Sequence, residues 1–253
     1  MIILLMAQTK IISGYPAMVI EGDKKSLVIT DLHLGFENAI TLNNVFLGKN
    51  KTVTEITKEI ELIINKTKPD SLILIGDIKS SINSITKTEW ETVPAFFENI
   101  TKLIDTILVP GNHDANIEKL IPNGITLASS KGIIVDDILL THGHTMPTEN
   151  FSEVNAIVMG HIHPVFFQEG SLINGERVWV TVRCEKHKIF SSRSGEIEIT
   201  ILPSFNKYFY ATQKKFYKKS ISPMIKKMSV IEAKIITLDG TIIGNESLLA
   251  DVI

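Results

Sequence analysis

Residues 71–80, SLILIGDIKS, decide how the sequence is interpreted, because an apolar run ends there on a carboxylate. The run from Ser71 to Ile75 is short and rich in Ile and Leu, which is typical of a strand buried on both faces in a parallel sheet. Gly76 and Asp77 follow it directly. A single Asp after a strand is commonly a turn residue or a helix cap, so this stretch alone leaves the role of Asp77 open.

The same arrangement recurs at four other places in the chain. Apolar runs at 26–30, 106–110, 137–141 and 156–160 each lead into Asp, Asn or His, and six of the seven histidines lie in these loops. Only His187 lies elsewhere. Because loops at the carboxyl ends of strands converge over one edge of an open α/β sheet, this recurrence predicts a ligand-binding or catalytic site at that edge.

Length and composition indicate an ordinary globular protein. The chain has 253 residues, of which 44% are hydrophobic and 21% charged, and this length suits one large domain or two small ones. The first residues, MIILLMA, are too few to span a bilayer and lack the features of a secretory signal, which predicts a cytoplasmic location without membrane attachment. The single cysteine, Cys184, excludes an internal disulfide and is predicted to be a buried small hydrophobe.

Charge is unevenly distributed along the chain. Residues 205–227, which we call the basic-aromatic segment, contain seven lysines and no acidic residue. The net charge of the whole chain is −2, so the rest of the chain has a net charge of −2 − 7 = −9. The six aromatic residues of this segment are Phe205, Tyr208, Phe209, Tyr210, Phe216 and Tyr217. Such a mixture suits phosphate contacts and base stacking. The alternative is a solvated helix or loop whose aromatic residues reach the core.

The first two thirds of the chain have an α/β pattern. A hairpin is predicted around 21–25, a helix from Asn50 to the break at Pro69, and a second helix at 86–104 through Trp90, with Pro94 as a kink or near its first turn. Strand–helix–strand alternation up to His163 predicts right-handed crossovers and a mostly parallel sheet.

The pattern changes in the last third. Strand-like runs at 177–184 and 196–203, and a hairpin signal at Asp239-Gly240, predict antiparallel strands that form a second sheet or extend the first. The sequence favours one domain over residues 1–253, with 205–253 as a C-terminal extension.

Seven residues at the strand ends form a set with metal-binding chemistry: Asp31, His33, Asp77, Asn112, His142, His161 and His163. Imidazole together with carboxylate suits Mn, Fe, Co, Ni or Zn, whereas Mg and Ca prefer oxygen ligands alone. Seven ligands are too many for one tetrahedral ion and suit two octahedral ions with a shared ligand. Two carboxylates against two divalent ions leave about +2, which favours a phosphate group.

The motifs Asp31-x-His33, Gly76-Asp77, Gly111-Asn112-His113-Asp114, His142-Gly143-His144 and Gly160-His161-x-His163, in this order, resemble those of the calcineurin-like metallophosphoesterases over residues 25–165. The resemblance implies an α/β fold, a two-sheet αββα sandwich of mixed sheets flanked by helices. It also implies a phosphoesterase with two divalent metal ions, with Mn favoured over Fe, Ni, Co and Zn.

The resemblance further implies a role for each motif residue. Asp31, His33, Asp77 and His163 would bind one metal, and Asp77 would bridge to a second that is bound by Asn112, His142 and His161. His113 would stabilise the transition state or protonate the leaving oxygen, with Asp114 holding it oriented and charged. His144 would contact a ligand residue or the substrate.

A narrower resemblance rests on VITDLHLGFE (28–37), GDIK (76–79), Glu89-Trp90 and ILPSFN (201–206), which are similar to the small SbcD-related phosphoesterases of the archaeal and DNA-ligase-associated types. It implies hydrolysis of phosphodiesters in nucleic acid or nucleotides, a nuclease role in DNA repair, and association with a helicase or ligase. The sequence does not determine the oligomeric state, and a homodimer is one possibility. Two alternatives also remain: a small-molecule or cyclic-nucleotide phosphodiesterase or phosphatase, and a metal-binding interaction scaffold.

Overall fold

The computed structural model describes residues 7–36, 51–211 and 222–253, and within them two mixed β-sheets pack face to face. The first sheet contains β1 (Gln8–Ile11), β2 (Met18–Glu21), β3 (Lys25–Ile29), β4 (Ser71–Ile75), β5 (Asp105–Val109) and β6 (Ile125–Leu127), in that spatial order. β1, β2 and β3 are antiparallel, and the strands from β3 to β6 are parallel. The predicted hairpin around 21–25 is confirmed as the β2–β3 turn.

The second sheet contains β7 (Ile133–Val135), β8 (Ile138–Thr141), β9 (Ala156–Met159), β10 (Val178–Glu185), β11 (Glu196–Ile201), β12 (Val230–Thr237) and β13 (Ile242–Gly244). Its spatial order is β13-β12-β10-β11-β9-β8-β7. β8, β9 and β11 are parallel, and the remaining pairs are antiparallel. The late antiparallel strands therefore build a second sheet, and the predicted hairpin at Asp239-Gly240 joins β12 to β13.

One topological prediction was wrong. The strand–helix alternation does not continue to His163 in a single sheet, because β8 and β9 belong to the second sheet. Residues 105–159 contain no α-helix, so β5 reaches its parallel neighbour β6 through the 3-10 helix at Ile117–Lys119, and the chain then leaves the first sheet. A tight turn with Asp136 in the left-handed region (φ 54°) folds β7 back onto β8 instead. The apolar run at 137–141 shows that a strand is present but does not show which sheet it joins.

The α-helices are α1 (Lys51–Thr67), α2 (Lys87–Ile100), α3 (Lys207–Ala211) and α4 (Pro223–Lys227). Short 3-10 helices lie at Ile117–Lys119, Glu149–Phe151, Lys186–Lys188 and Glu246–Asp251. α1 buries the face with helical spacing that the sequence predicts, including Val53, Ile56 and Ile60. α2 begins with a capping box of Thr86 and Glu89, and it ends at Ile100 rather than 104. Pro94 lies inside α2, and Trp90 is 51% exposed rather than part of its buried face.

Three layers of buried side chains explain the sandwich. One apolar cluster lies between the sheets and includes Val28, Ile73 and Val158. A second joins the outer face of the first sheet to α1 and α2, and a third covers the outer face of the second sheet and includes Met224 of α4. This confirms the predicted mixed-sheet sandwich flanked by helices. Cys184 is free and buried in the third cluster, as predicted. Among the described residues, no helix is long and apolar enough to cross a membrane.

Candidate metal centre

The predicted ligands lie at the carboxyl ends of five strands that come from both sheets. Asp31 and His33 follow β3, Asp77 follows β4, Asn112 follows β5, His142 follows β8, and His161 and His163 follow β9. The site is therefore located where the carboxyl edges of the two sheets meet, rather than over the edge of one parallel sheet. Packing of the sheets face to face brings residues from distant parts of the chain together.

Five of the seven predicted ligands have left-handed backbone conformations. Their φ angles are 58° for Asp31, 42° for His33, 51° for Asp77, 70° for His161 and 49° for His163. Such conformations cost about 1–3 kcal/mol for a non-glycine residue and are found where the surrounding structure enforces them, commonly at functional sites. The strain is concentrated here, because the described residues contain only three other non-glycine positions with positive φ.

Two glycines of the motifs are required by close approach to the carboxylates. A Cβ atom at Gly111 would lie 2.2 Å from Asp77 Oδ1, and one at Gly160 would lie 2.7 Å from Asp31 Oδ2. Both distances are far below a van der Waals contact. Any larger residue at either position would displace a predicted ligand, which gives a physical reason for the Gly of both motifs.

Four predicted ligands form the first cluster: Asp31, His33, Asp77 and His163, whose donor atoms all lie within 4.8 Å of one another. His163 Nε2 is 3.0 Å from Asp31 Oδ1. His33 Nε2 is 3.8 Å from Asp77 Oδ2 and 3.3 Å from His163 Nε2. All four residues are buried. The two carboxylates and two imidazoles thus face a common centre with little access for bulk water.

Three predicted ligands form the second cluster: Asp77, His142 and His161. His142 Nε2 is 3.3 Å from Asp77 Oδ2. Within the described residues, the buried Oδ1 atom of Asn112 has no hydrogen-bond partner. A buried amide oxygen without a partner is costly, and a metal ion would satisfy it. Asp77 is common to both clusters, which is the arrangement that the predicted bridging role requires.

Each carboxylate has one oxygen fixed by a backbone amide and the other turned toward imidazoles. Asp31 Oδ2 accepts from His161 N–H at 3.1 Å, while Oδ1 lies 3.4 Å from His142 Nε2. Asp77 Oδ1 accepts from His113 N–H at 2.9 Å, while Oδ2 faces His33 and His142. The fixed oxygen orients the carboxylate and leaves the other free to bind a cation.

Burial controls the charge of these groups. Burial raises the pKa of Asp77 well above its usual range, and the negative charges of Asp114 and Asp31 add to this effect. Burial lowers the pKa of His33 and His142, and that of His161 to about 4. These imidazoles are therefore neutral at pH 7 and have the free lone pair that metal binding needs. Divalent cations would also relieve the repulsion between the carboxylates, so this donor set fits them.

His113 lies beside the clusters but is less buried than the predicted ligands. Its Nε2 atom is 3.8 Å from Asp77 Oδ2, and 18% of its side chain is exposed. Its Nδ1 atom lies 2.5 Å from the Ser80 carbonyl oxygen. Because a carbonyl only accepts, Nδ1 carries the hydrogen and Nε2 faces the open side of the site. Burial lowers the pKa of His113, and the bond to Ser80 opposes this.

The predicted contact between Asp114 and His113 is replaced by another arrangement. Asp114 accepts hydrogen bonds from the backbone amides of Ile78 (2.8 Å), Lys79 (3.3 Å) and Gly111 (2.8 Å). It therefore connects the loops after β4 and β5. Ser80, which the motifs do not include, contacts the His113 ring in its place. Sequence spacing places Asp114 next to His113 in the chain, but the turn points its carboxylate toward the backbone.

Two buried charges behind Ser80 hold this loop in place. Glu89 accepts from the amides of Ser80 at 2.9 Å and Ser81 at 2.7 Å. The fully buried Lys79 donates to the carbonyl oxygens of Ser81 and Ser84. The narrower resemblance already marked Lys79 and Glu89 through GDIK and Glu89-Trp90. The pattern gave no reason for either residue, and the structure shows that both stabilise the loop that contacts His113.

His144 lies near the second cluster without joining it. Its ring centroid is 5.3 Å from that of His142 and 6.1 Å from that of His161. It is half-buried, and desolvation lowers its pKa. Its predicted contact with a ligand residue or with substrate stays a prediction.

The described part of the basic-aromatic segment is packed rather than open. Phe205 and Phe209 are buried, with 1% and 6% of their surfaces exposed. Lys207 Nζ is 3.1 Å from a carboxylate oxygen of Glu55, which also accepts from the Tyr208 hydroxyl at 2.7 Å. Phe205 and Phe209 are therefore not available for base stacking, which corrects the prediction for these two residues. Residues 212–221, with Phe216, Tyr217 and four of the lysines, lie outside the described residues.

The arrangement separates metal binding from proton transfer. Divalent metal ions, when bound, would supply Lewis-acid polarisation of a phosphoryl group and activation of water. Asp31, His33, Asp77 and His163 would hold one ion, and Asp77, Asn112, His142 and His161 the other. His113 Nε2, on the open side, is placed to exchange a proton with the leaving oxygen.

Comparisons with known proteins identify a family and a similar fold. A family model described as calcineurin-like phosphoesterase matches residues 24–165. A similar solved structure is that of nuclease MPE from Pseudomonas putida, with 14% identity, a TM-score of 0.51, and coverage of 92% of this chain and 98% of that one. Another is Yfce, a phosphoesterase from E. coli, with 16% identity, a TM-score of 0.42, and coverage of 88% and 98%. A comparison with curated proteins finds no significant match.

Proposed function

The chain belongs to the calcineurin-like phosphoesterase family, and we propose that it hydrolyses phosphodiester bonds in nucleic acid or nucleotides with two bound transition-metal ions. Membership makes it a metal-dependent hydrolase of phosphoester bonds. The preference for diesters, the substrate and the identity of the metal are the proposal. The alternative of a metal-binding scaffold without activity is disfavoured, because both clusters and His113 are present together.

The shared position of Asp77 carries the proposal. Its carboxylate belongs to both clusters and is aligned by the amide of His113. Asp77 would hold both ions, and the pair would supply positive charge that stabilises the oxygens of a phosphoryl group during its transfer. The site then needs only a proton for the leaving group.

His113 supports a substrate with a poor leaving group, such as the sugar or alkyl oxygen of a phosphodiester. Hydrolysis of an alkyl phosphodiester expels an alkoxide, which leaves poorly unless it is protonated. His113 Nε2 faces the open side of the site, since its Nδ1 is bound to the Ser80 carbonyl. The imidazolium form of His113 would donate its Nε2 proton to the departing sugar or alkyl oxygen and become the neutral imidazole, which keeps its Nδ1–H on Ser80.

Manganese is the proposed metal. The donor set combines carboxylate, amide and imidazole groups, and no cysteine lies in either cluster. A site that mixes imidazole with oxygen ligands suits Mn and Fe, whereas Mg and Ca prefer oxygen ligands alone. The absence of thiolates from the two clusters disfavours soft metals. Fe, Co, Ni and Zn are the alternatives for the same reason.

Nucleic acid as substrate is supported by two further observations. One similar structure is a nuclease, and the motifs resemble those of the SbcD-related phosphoesterases, whose implied role is in DNA repair with a helicase or ligase. Smaller substrates such as cyclic nucleotides are the second candidate. The burial of Phe205 and Phe209 favours them, because it removes two aromatic residues that could stack on bases.

A substrate panel tests the proposal. Metal-stripped protein is supplied with Mn, Ni, Zn or Mg and offered a nitrophenyl phosphomonoester, a bis-nitrophenyl phosphodiester, cyclic nucleotides, and single- and double-stranded DNA. We expect Mn-dependent hydrolysis of the diester and of at least one DNA substrate. Preference for the monoester contradicts the diester assignment, and cleavage of cyclic nucleotides without cleavage of DNA selects the second candidate.

A further inference from the structure

The chain passes the first cluster a second time at residues 204–209, which we call the clamp. Three consecutive carbonyl oxygens of the loop at 30–32 accept hydrogen bonds from three consecutive residues of the clamp. These bonds run from Phe205 N–H to Thr30 O at 2.9 Å, from Ser204 Oγ to Asp31 O at 2.9 Å, and from Asn206 Nδ2 to Leu32 O at 2.8 Å. Because Asp31 and His33 have strained backbones, these bonds help to keep the loop in its conformation.

The clamp is itself anchored to two other parts of the fold. The Arg177 guanidinium, just before β10, donates to the carbonyl oxygens of Ser204 at 2.8 Å and Phe205 at 3.0 Å. On the other side, Glu55 of α1 accepts from the Tyr208 hydroxyl and pairs with Lys207. The clamp is therefore fixed independently of the loop that it contacts.

Phe209 brings an aromatic ring onto the imidazole of His33. The two ring centroids are 3.6 Å apart with an interplanar angle of 10°, which is a stacked arrangement. Phe209 also makes an edge contact with the ring of His163, at 5.2 Å and 77°, and with Phe36 at 4.8 Å and 69°. It thus touches two of the four residues of the first cluster.

His33 lacks the hydrogen bond that commonly orients a metal-binding histidine. Such a residue usually donates its second ring N–H to a carboxylate or carbonyl group, which fixes the orientation of the ring. Within the part of the chain that the structure describes, the buried Nδ1 atom of His33 has no such partner. One face of the imidazole is instead covered by the stacked ring of Phe209.

We propose that Phe209 is a positioning residue for the metal centre, and that it orients His33 by stacking in place of a hydrogen bond. Without this ring the imidazole could rotate, and its Nε2 atom would point toward Asp77 and His163 for only part of the time. Removal of the partner that orients a metal-binding residue typically costs 10- to 100-fold in metal affinity. The proposal rests on the two-metal site of the proposed function.

Phe209→Leu tests the proposal, because it keeps an apolar side chain and removes the ring. Mn²⁺ is titrated into metal-free protein by calorimetry, and electron paramagnetic resonance distinguishes one bound ion from a coupled pair. We expect one of the two sites to weaken by roughly 10- to 100-fold, while the other keeps its affinity. Phe209→Tyr, which restores an aromatic ring, should recover the lost affinity.

The matched control is Phe190→Leu, which makes the same change at a fully buried residue of the cluster outside the second sheet. It should lower the melting temperature of the metal-free protein without changing Mn²⁺ binding. Wild-type binding in Phe209→Leu, or equal weakening in both variants, would overturn the positioning role. If the unmodified protein binds no Mn²⁺, the two-metal centre of the proposed function is refuted. Intact binding by Phe209→Leu would instead refute only the positioning role of Phe209.

Discussion

The two sheets contribute different chemistry to one site. The strand ends of the first sheet carry both carboxylates and the amide, Asp31, Asp77 and Asn112, together with His33. The strand ends of the second sheet, β8 and β9, carry imidazoles only. Burial makes the carboxylate charges costly, whereas it keeps imidazoles such as His161 neutral. The first sheet therefore supplies the charge that attracts cations, and the second supplies ligands that add no further repulsion.

This difference implies that neither sheet alone forms the site. The carboxylates of the first sheet repel each other, and this repulsion helps to raise the pKa of Asp77. Part of the opposing effect comes from the second sheet, because the hydrogen bond of His163 Nε2 to Asp31 Oδ1, at 3.0 Å, lowers the pKa of Asp31 against the effect of burial. Mutations in the two sheets should consequently have different effects on metal binding, and the following experiments test this.

The largest expected effect is that of Asp77→Asn in the first sheet. Removing one partner of a buried charged pair costs about 3–5 kcal/mol, which corresponds to roughly 10²- to 10⁴-fold in affinity. Because Asp77 belongs to both clusters, we expect both ions to bind more weakly and activity to be lost. Metal content after dialysis and diester hydrolysis measure this.

His142→Asn in the second sheet is the comparison for that variant. It removes a neutral ligand from the second cluster only, so the first ion should be retained. Retention of both ions in Asp77→Asn would contradict the bridging role of this carboxylate. Loss of both ions in His142→Asn would show that a neutral ligand of the second sheet matters as much for both ions as the charged ligand of the first.

The next effect concerns His113, which follows β5 of the first sheet but lies in neither cluster. His113→Ala should keep both ions and lose about 10²- to 10⁴-fold in turnover, the usual range for a general acid or base. The loss should shrink for nitrophenyl leaving groups, which need little protonation. An equal loss with all leaving groups would indicate charge stabilisation or substrate binding instead.

The sequence predicted which residues lie at the strand ends, but it did not predict which distant residues contact them. Each predicted ligand lies where its motif placed it, because a buried strand that ends in Gly-Asp or His is a local feature. The motif resemblance implied a two-sheet sandwich, but the strand pattern alone did not show that the site lies where both sheets meet, since β8 and β9 look alike whether they join the first sheet or the second. The contacts of Ser80 with His113 and of Phe209 with His33 were also missed, because they join residues 33 and 176 positions apart in the chain.

A smaller effect is expected for Asp114→Asn in the first sheet. The Asp114 carboxylate is buried and accepts three backbone amides. The Asn amide would keep the bonds to Ile78 and Lys79 but turn its NH₂ group toward Gly111 N–H. The unsatisfied donor should cost about 1–3 kcal/mol in the free energy of unfolding, as measured by denaturant titration.

The control in the second half of the molecule is Glu149→Gln. Glu149 also accepts several hydrogen bonds, from Ser191 and Ser192, but it lies at the surface. Water can replace these bonds, so the change in stability should be clearly smaller than for Asp114→Asn. Equal changes would mean that burial does not determine the cost of losing a carboxylate in this protein.

The smallest effect is expected for the lysines in the middle of the basic-aromatic segment. The two described ends of this segment contact one loop of the first sheet and one loop of the second. The clamp bonds to the loop after β3, and Ser222 Oγ donates to the Gly143 carbonyl after β8 at 2.8 Å. Lys214, Lys215, Lys218 and Lys219, between these ends, lie outside the described residues, and their contribution to nucleic-acid binding remains a prediction from sequence.

Replacing these four lysines with Gln should lower the salt dependence of DNA binding, by about 0.7–0.9 in slope for each lysine that contacts a phosphate. Hydrolysis of a small diester should not change, because the metal ligands are untouched. The matched control replaces four exposed lysines elsewhere, Lys24, Lys102, Lys131 and Lys188, and should leave the slope nearly constant. If both variants have the slope of the unmodified protein, the segment does not contact DNA, and the small-substrate candidate becomes the better supported function.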